Sequence, residues 1–219
     1  MESISGTIKK NHPWSWINSY AALRSDGYAL LASLLQGPPS EVMMEILMTL
    51  YWDAGLPEKL ENAFAALKLA GQAFQPAAVQ KEYNRLFIGL GCGRIIPYES
   101  WYTEKKIQSA PLAALRADLM HIGIVRQADW HDSEDHAGAL CEIMAIITRK
   151  QSGIDYVEQT AFFNRHITPW MMHLFSDIEE AANGAFYRSA GRFGGSFLET
   201  ESVFLPDAAK NHNFTGEGE

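Results

Sequence analysis

Residues 57–88 read PEKLENAFAALKLAGQAFQPAAVQKEYNRLFI, and two helix beginnings are written into them. Pro57 suits the first turn of a helix, where its missing N–H costs nothing, and a stripe of Leu60, Phe64, Leu67 and Phe74 follows at helical spacing. Pro76 repeats the device, with Val79, Tyr83, Leu86 and Phe87 on one face. The same punctuation continues toward the N-terminus. Trp16, Tyr20, Leu23, Leu30 and Leu34 form a stripe that Gly37-Pro38-Pro39 stops, and Ser40 with Glu41 opens a helix through Val42, Met43, Ile46, Leu47 and Leu50 to Gly55. Toward the C-terminus, Ser109-Ala110-Pro111 opens a helix with Leu112, Leu115 and Leu119 that Gly123 ends. Ser133 is expected to cap the next, with Glu134 and Asp135 in its positive first turn and a buried stripe of Ala137, Leu140, Cys141, Met144 and Ile147. A further helix is expected over about 154–167. Thr168-Pro169 should open one with Leu174, Phe175 and Ile178, ended by Gly184, and Phe186, Phe193 and Phe197 mark the last.

Nothing alternates as a strand does, and no fixed-period repeat is present. The fold is therefore expected to be all-α: one helical domain over residues 1–205, of about nine or more helices. It would divide into an N-terminal lobe (about 15–122) and a C-terminal lobe (about 134–200), hinged near 123–133. The tail, 206–219, is expected to be disordered from Pro206 on.

Composition excludes several function classes. The 219 residues are 47% hydrophobic, enough for a core that buries roughly 70% of the unfolded surface. The longest apolar run is far short of a membrane span, and MESISGTIKKNHPW has no apolar centre, so no signal peptide is expected. Cys92 and Cys141 form neither a disulfide framework nor a CxxC pair, which suits a reducing cytoplasm. The formal charge of −8 comes without a clustered basic face, against nucleic-acid binding and in favour of a basic partner.

Two stretches carry candidate chemistry. Residues 89–102, GLGCGRIIPYESWY, break periodicity with Gly89, Gly91, Gly93 and Pro97 yet keep Ile95, Ile96, Tyr98, Trp101 and Tyr102. An apolar loop of this kind either packs into a groove between lobes or meets a partner. Its glycines lack the Lys-Ser/Thr of a phosphate loop and follow a helix, so no nucleotide cradle is expected. Residues 129–142, DWHDSEDHAGALCE, hold Asp129, His131, Asp132, Glu134, Asp135, His136 and Glu142. With His121 they allow an alternative reading as an all-helical His/Asp metal-dependent phosphohydrolase. That reading needs ligands from several separate helices, and these lie in one segment, so no metal is expected. The cluster otherwise reads as a helix start, or as carboxylates and an imidazole that accept hydrogen bonds from guanidinium groups. Cys141 falls on a buried face, Cys92 has no assigned base, and no catalytic residue is expected.

Five motifs in order bring a family into view: Glu82-Tyr83-Asn84-Arg85-Leu86-Phe87-Ile88-Gly89, Pro97-Tyr98-Glu99-Ser100-Trp101-Tyr102, Glu134-Asp135-His136, His166-Ile167-Thr168-Pro169-Trp170 and Ala185-Phe186-Tyr187-Arg188. Together they resemble the TorD/DmsD/NarJ family of redox enzyme maturation chaperones, over about residues 75–200. Ser133 stands where family members often have proline, and Ala137 where a larger apolar residue is common. The resemblance implies a cytoplasmic chaperone, monomeric or dimeric, that binds the twin-arginine signal peptide of a molybdenum oxidoreductase precursor. It would assist cofactor insertion and hold back export until maturation is complete. The implied signal-peptide site is Glu134, Asp135 and His136 with Tyr83, Leu86, Phe87, Gly89, Pro97, Ser100, Trp101 and Tyr102. An interaction with guanine nucleotide or molybdenum cofactor is implied by the resemblance alone. A generic helical adaptor is the remaining reading.

Overall fold

The computed structural model describes residues 16–52, 55–89, 93–125, 132–182 and 186–212. Ten α-helices and one π-helical turn account for them: α1 (Ile17–Gln36), α2 (Glu41–Met48), α3 (Glu58–Ala73), α4 (Pro76–Tyr83), the π-turn (Asn84–Ile88), α5 (Glu99–Glu104), α6 (Ala110–His121), α7 (Ala137–Ile147), α8 (Tyr156–His166), α9 (Met171–Ala181) and α10 (Phe186–His212). The all-α expectation holds: the β pairing among the described residues is a single isolated bridge, Tyr98 with His136.

The long helix α10 is the organising element. It packs on α9 and α3, and also touches α8, α1 and α4, while α1 lies along α7. Its aromatic side chains join the stripes expected from sequence. Phe193 meets Phe64 of α3 at a centroid distance of 4.7 Å, and Phe197 meets Tyr28 of α1 edge-on at 4.8 Å. Each such fully buried ring contributes on the order of 1.5–3 kcal/mol through burial. Close approach of α9 to α10 is permitted by Gly191 and Gly194, where an added Cβ would lie 2.9 Å from the Phe175 carbonyl and 2.2 Å from its ring. Helices from both sides of the expected 123–133 hinge thus share one core cluster, because α1 needs α7 and α3 needs α10 to cover their apolar faces. The two-lobe division is not a division of that core.

One ion pair is sealed within it. Arg24 of α1 donates through Nε and Nη2 to the two carboxylate oxygens of Glu201 (2.6 and 3.0 Å) and through Nη1 to Gln159 (2.8 Å). The Tyr28 hydroxyl donates to the same carboxylate at 2.9 Å. The pair satisfies its hydrogen bonds inside the protein, as a buried charge requires.

Several boundaries differ from expectation, each for a local reason. Helix α2 ends at Met48 and not at Gly55: the backbone leaves helical geometry at Thr49 (φ −105°, ψ 6°), whose hydroxyl caps the end by donating to the Glu45 carbonyl at 3.0 Å. Residues 99–102, expected as loop, begin α5. Ser133 does not cap α7. His136 does, its Nδ1 accepting from Gly138 N at 3.1 Å, while Ala137 N is taken by the Pro97 carbonyl at 2.8 Å. Thr168 does not cap α9 either: its N–H and hydroxyl bond the Phe163 carbonyl at the end of α8, and α9 starts after Trp170. Pro206 lies inside α10, which continues to His212 with Phe204 and Leu205 buried beside it. Gly91, Cys92, Asp129, His131 and Gly184 lie outside the described residues.

Candidate functional site

The chain leaves α4 through the π-turn, a conformation often found at functional sites because it re-aims side chains by one residue. Gly89 closes it, donating its N–H to the Asn84 carbonyl at 2.8 Å with a φ of +56° that a side chain would disfavour. Leu86 is buried, and its carbonyl accepts from Ile95 N at 2.9 Å, tying the segment from residue 93 back onto the turn. An added Cβ at Gly93 would lie 2.5 Å from the Phe87 backbone, so glycine at this position permits the close approach of the two chain segments. Tyr83, Phe87 and Tyr187 form one aromatic group with centroid distances of 4.9, 5.5 and 5.9 Å.

From Pro97 the chain clasps the turn at 132–136. The Pro97 carbonyl accepts from Ala137 N, and Glu99 N donates to the Asp135 carbonyl at 2.9 Å. Ser100 closes the clasp, donating from N (3.2 Å) and from Oγ to Asp135 Oδ2. Asp135 is 0% exposed, and its other oxygen, Oδ1, has no partner. The first helical N–H groups of α5 make it a natural neighbour for a carboxylate. The Tyr98 hydroxyl donates to Asp132 at 3.2 Å, and burial together with the Asp132 charge pushes that phenol up to about 12. Burial and the same Asp132 charge push Tyr83 up to about 12, so the aromatic group lies within the field of this turn.

His136 is buried with its ring edge-on to Tyr98 at 5.0 Å. Burial lowers its pKa against the opposing pull of Asp132 and Asp135, in keeping with a neutral ring whose Nδ1 accepts a hydrogen bond. Glu134 faces the other way and receives Arg116 of α6 through two bonds of 3.1 and 2.8 Å. Trp101 and Tyr102 are half-buried on α5. Lys105 lies over both rings, and Tyr102 turns from the clasp to stack near Trp170 and to donate to Asp177 at 2.6 Å.

The structure therefore brings Ser100 onto Asp135, Tyr98 onto His136 and the Pro97 carbonyl onto Ala137 N, and ties Leu86, with Tyr83, Phe87 and Gly89 around it, to the same segment through the Leu86–Ile95 bond. Glu134 and Tyr102 are committed elsewhere. Sequence reasoning passed over Glu99, His166 and Asp118. Glu99 and His166 stand inside the quoted motifs, but nothing in their spacing announces that they meet. His166 bonds Asp118 through Nε2 at 2.8 Å, and Arg165 holds the same carboxylate at 2.8 and 3.0 Å. Burial would raise Asp118, but these two partners outweigh it and hold the group below the usual carboxylate range.

Among the described residues no group of three or more His, Cys, Asp or Glu side chains is arranged to hold a metal ion. A cavity of about 430 Å³ lies elsewhere, between α3, α9 and α10, and the charges at its rim are paired as Lys59–Glu199 and Arg192–Glu179. Cys141 is enclosed, and burial pushes its thiol well above the ordinary range, where a nucleophilic role has no support.

Comparison with known proteins places the chain. A sequence model described as nitrate reductase delta subunit matches residues 53–176, from the entry to α3 into α9, across the π-turn, the clasp and the His166–Trp170 turn. The chain belongs to that family. It is the NarJ/TorD-like family of maturation chaperones that the motifs resembled, not a family of catalysts. A crystal structure assigned to redox enzyme maturation, from Archaeoglobus fulgidus, superposes with a TM-score of 0.54 at 18% identity. The likeness covers 79% of this chain and 93% of that one, and shows a shared fold. No curated protein sequence matches. Among the described residues no helix is long and apolar enough to cross a membrane.

Proposed function

We propose that this family member binds the N-terminal twin-arginine signal segment of a molybdenum oxidoreductase precursor in the cytoplasm. It holds back export while the cofactor is inserted, and carries no catalysis of its own. One observation carries the reading: Asp135, in a clasp built from two family motifs, is enclosed with one carboxylate oxygen unpartnered. A buried acceptor without a partner costs about 1–3 kcal/mol, more when charged, which a guanidinium group would recover. Access to that oxygen requires a local movement of its surroundings, and the aromatic group of Tyr83, Phe87 and Tyr187 offers apolar surface beside it for the apolar run of such a peptide.

The test is calorimetry with a synthetic twin-arginine peptide and the same peptide carrying lysine at both positions. The forked guanidinium should bind and the lysine peptide should lose most of the affinity, because an ammonium cannot make the bidentate contact. Equal binding of the two peptides, or none of either, would remove the signal-peptide reading and leave the family and fold standing.

A further inference from the structure

Four buried side-chain polar atoms among the described residues lack a hydrogen-bond partner: Glu99 Oε2, Ser133 Oγ, Asp135 Oδ1 and His166 Nδ1. They gather in one place. Ser133 and Asp135 belong to the clasped turn, Glu99 is the first residue of α5, and His166 is the last of α8. Native proteins leave few such atoms unpaired, and a concentration of them marks a site kept for something other than stability.

Glu99 is the joint between the two halves of this group. Its backbone N–H holds the Asp135 carbonyl at 2.9 Å, and its neighbour Ser100 holds the Asp135 carboxylate. Its side chain points the other way, with Oε2 3.5 Å from His166 Nδ1, and both side chains are at least 95% buried. His166 cannot rotate freely to meet it. Nε2 is engaged by Asp118, which α6 supplies and Arg165 of α8 steadies, and the His166 carbonyl accepts from Trp170 Nε1 at 2.8 Å. With an ionised Asp118 accepting from Nε2–H, Nδ1 presents a lone pair to a carboxylate oxygen unless a proton lies between them. The start of α5 is thus set against a fixed post on α8 and α6.

We propose that Glu99 and His166 are positioning residues for Asp135: the Asp118–His166–Glu99 chain fixes the first turn of α5, so that Ser100 occupies Oδ2 and leaves Oδ1 for a guanidinium group. The inference rests on the signal-peptide reading of Asp135 and assigns the residues that orient it. Neither Glu99 nor His166 touches the peptide in this account, so their effect must pass through Asp135.

A double-mutant cycle on the full chain tests this, with the twin-arginine peptide as probe and circular dichroism as the folding check. Glu99→Ala should weaken binding on the order of tenfold, within the coupling seen for residues of one network. Glu99→Gln should stay within about twofold of wild type, since its amide can donate to Nδ1 without a shared proton. In an Asp135→Asn background Glu99→Ala should add no more than about twofold, because there is no longer a carboxylate to orient. An Ala effect undiminished in that background, or a Gln variant as weak as Ala, overturns the positioning role. Thermal unfolding of wild type, Glu99→Ala, Asp135→Asn and their double variant provides a readout without peptide. Non-additive melting shifts for Glu99→Ala and Asp135→Asn are expected, and strict additivity would sink the link. Loss of all peptide binding in wild type with non-additive melting would sink the functional reading alone.

Discussion

Replacing Asp135 by Asn tests the site most directly, because it keeps the side chain's size and removes its charge. In the folded protein Oδ2 accepts from Ser100 N and Ser100 Oγ. Asn can accept both through its amide oxygen, at the strength of neutral hydrogen bonds. Neutral bonds are worth about 0.5–1.5 kcal/mol against about 1.5–3 for bonds to a charge, so over the two bonds the clasp should weaken by roughly 2–3 kcal/mol. Relief of an unpaired buried carboxylate offsets part of that loss, and the net change in stability should be small. Peptide affinity has no such offset. The guanidinium loses its anionic partner and meets an N–H or a neutral oxygen, which should cost on the order of 1.5–3 kcal/mol, or roughly 10- to 150-fold in Kd. Calorimetry with the twin-arginine peptide reads the affinity, and the melting temperature controls for folding. If Asp135→Asn and His136→Ala both bind as wild type does while remaining folded, the site assignment is wrong and only the fold survives.

The remaining expectations concern how the fold is held. Glu201→Ala leaves the Arg24 guanidinium buried without its anion, and urea unfolding should report a loss of about 3–5 kcal/mol; a loss below about 1 kcal/mol would show that Arg24 escapes to solvent. Adjacent glycines on α10 should respond oppositely. An alanine Cβ at Gly194 would sit 2.2 Å from the Phe175 ring and should destabilise by about 1–3 kcal/mol, whereas Gly195 faces open space and Gly195→Ala should stabilise by about 0.5–1 kcal/mol. Melting shifts of the same sign for the two would contradict this packing. Because burial lowers the His136 pKa in the folded state, the unfolded chain takes up the proton first. Stability is then full above the ordinary histidine value of about 6.5 and is lost as pH falls below it. Melting temperatures from pH 7.5 to pH 5 should fall less steeply in His136→Asn, and parallel profiles would refute the assignment.

The helices themselves were legible without the fold, since each rests on local chemistry. Pro57 and Pro76 stand at helix starts, Ser40 caps α2 by accepting from Met43 N, and Leu60, Phe64 and Leu67 are buried as their spacing demands. The motifs were legible as well, because five short matches in order survive without geometry. Where a boundary was misplaced, a long-range partner had taken the group that local rules assigned. Ser133 could not cap α7 once Pro97 and His136 supplied the acceptors for its first N–H groups. Asp135 reads in sequence as an acidic helix start, and only the arrival of α5 from 35 residues upstream encloses it and fixes which oxygen is occupied. Glu99, Asp118 and His166 lie on three helices, 67 residues apart at most, and no periodicity records that their side chains meet. Local sequence sets backbone conformation through interactions within a few residues. Which buried polar groups find partners is decided by helix packing, and so the chain alone could bring the motifs to notice but not say how the Asp135 carboxylate is held.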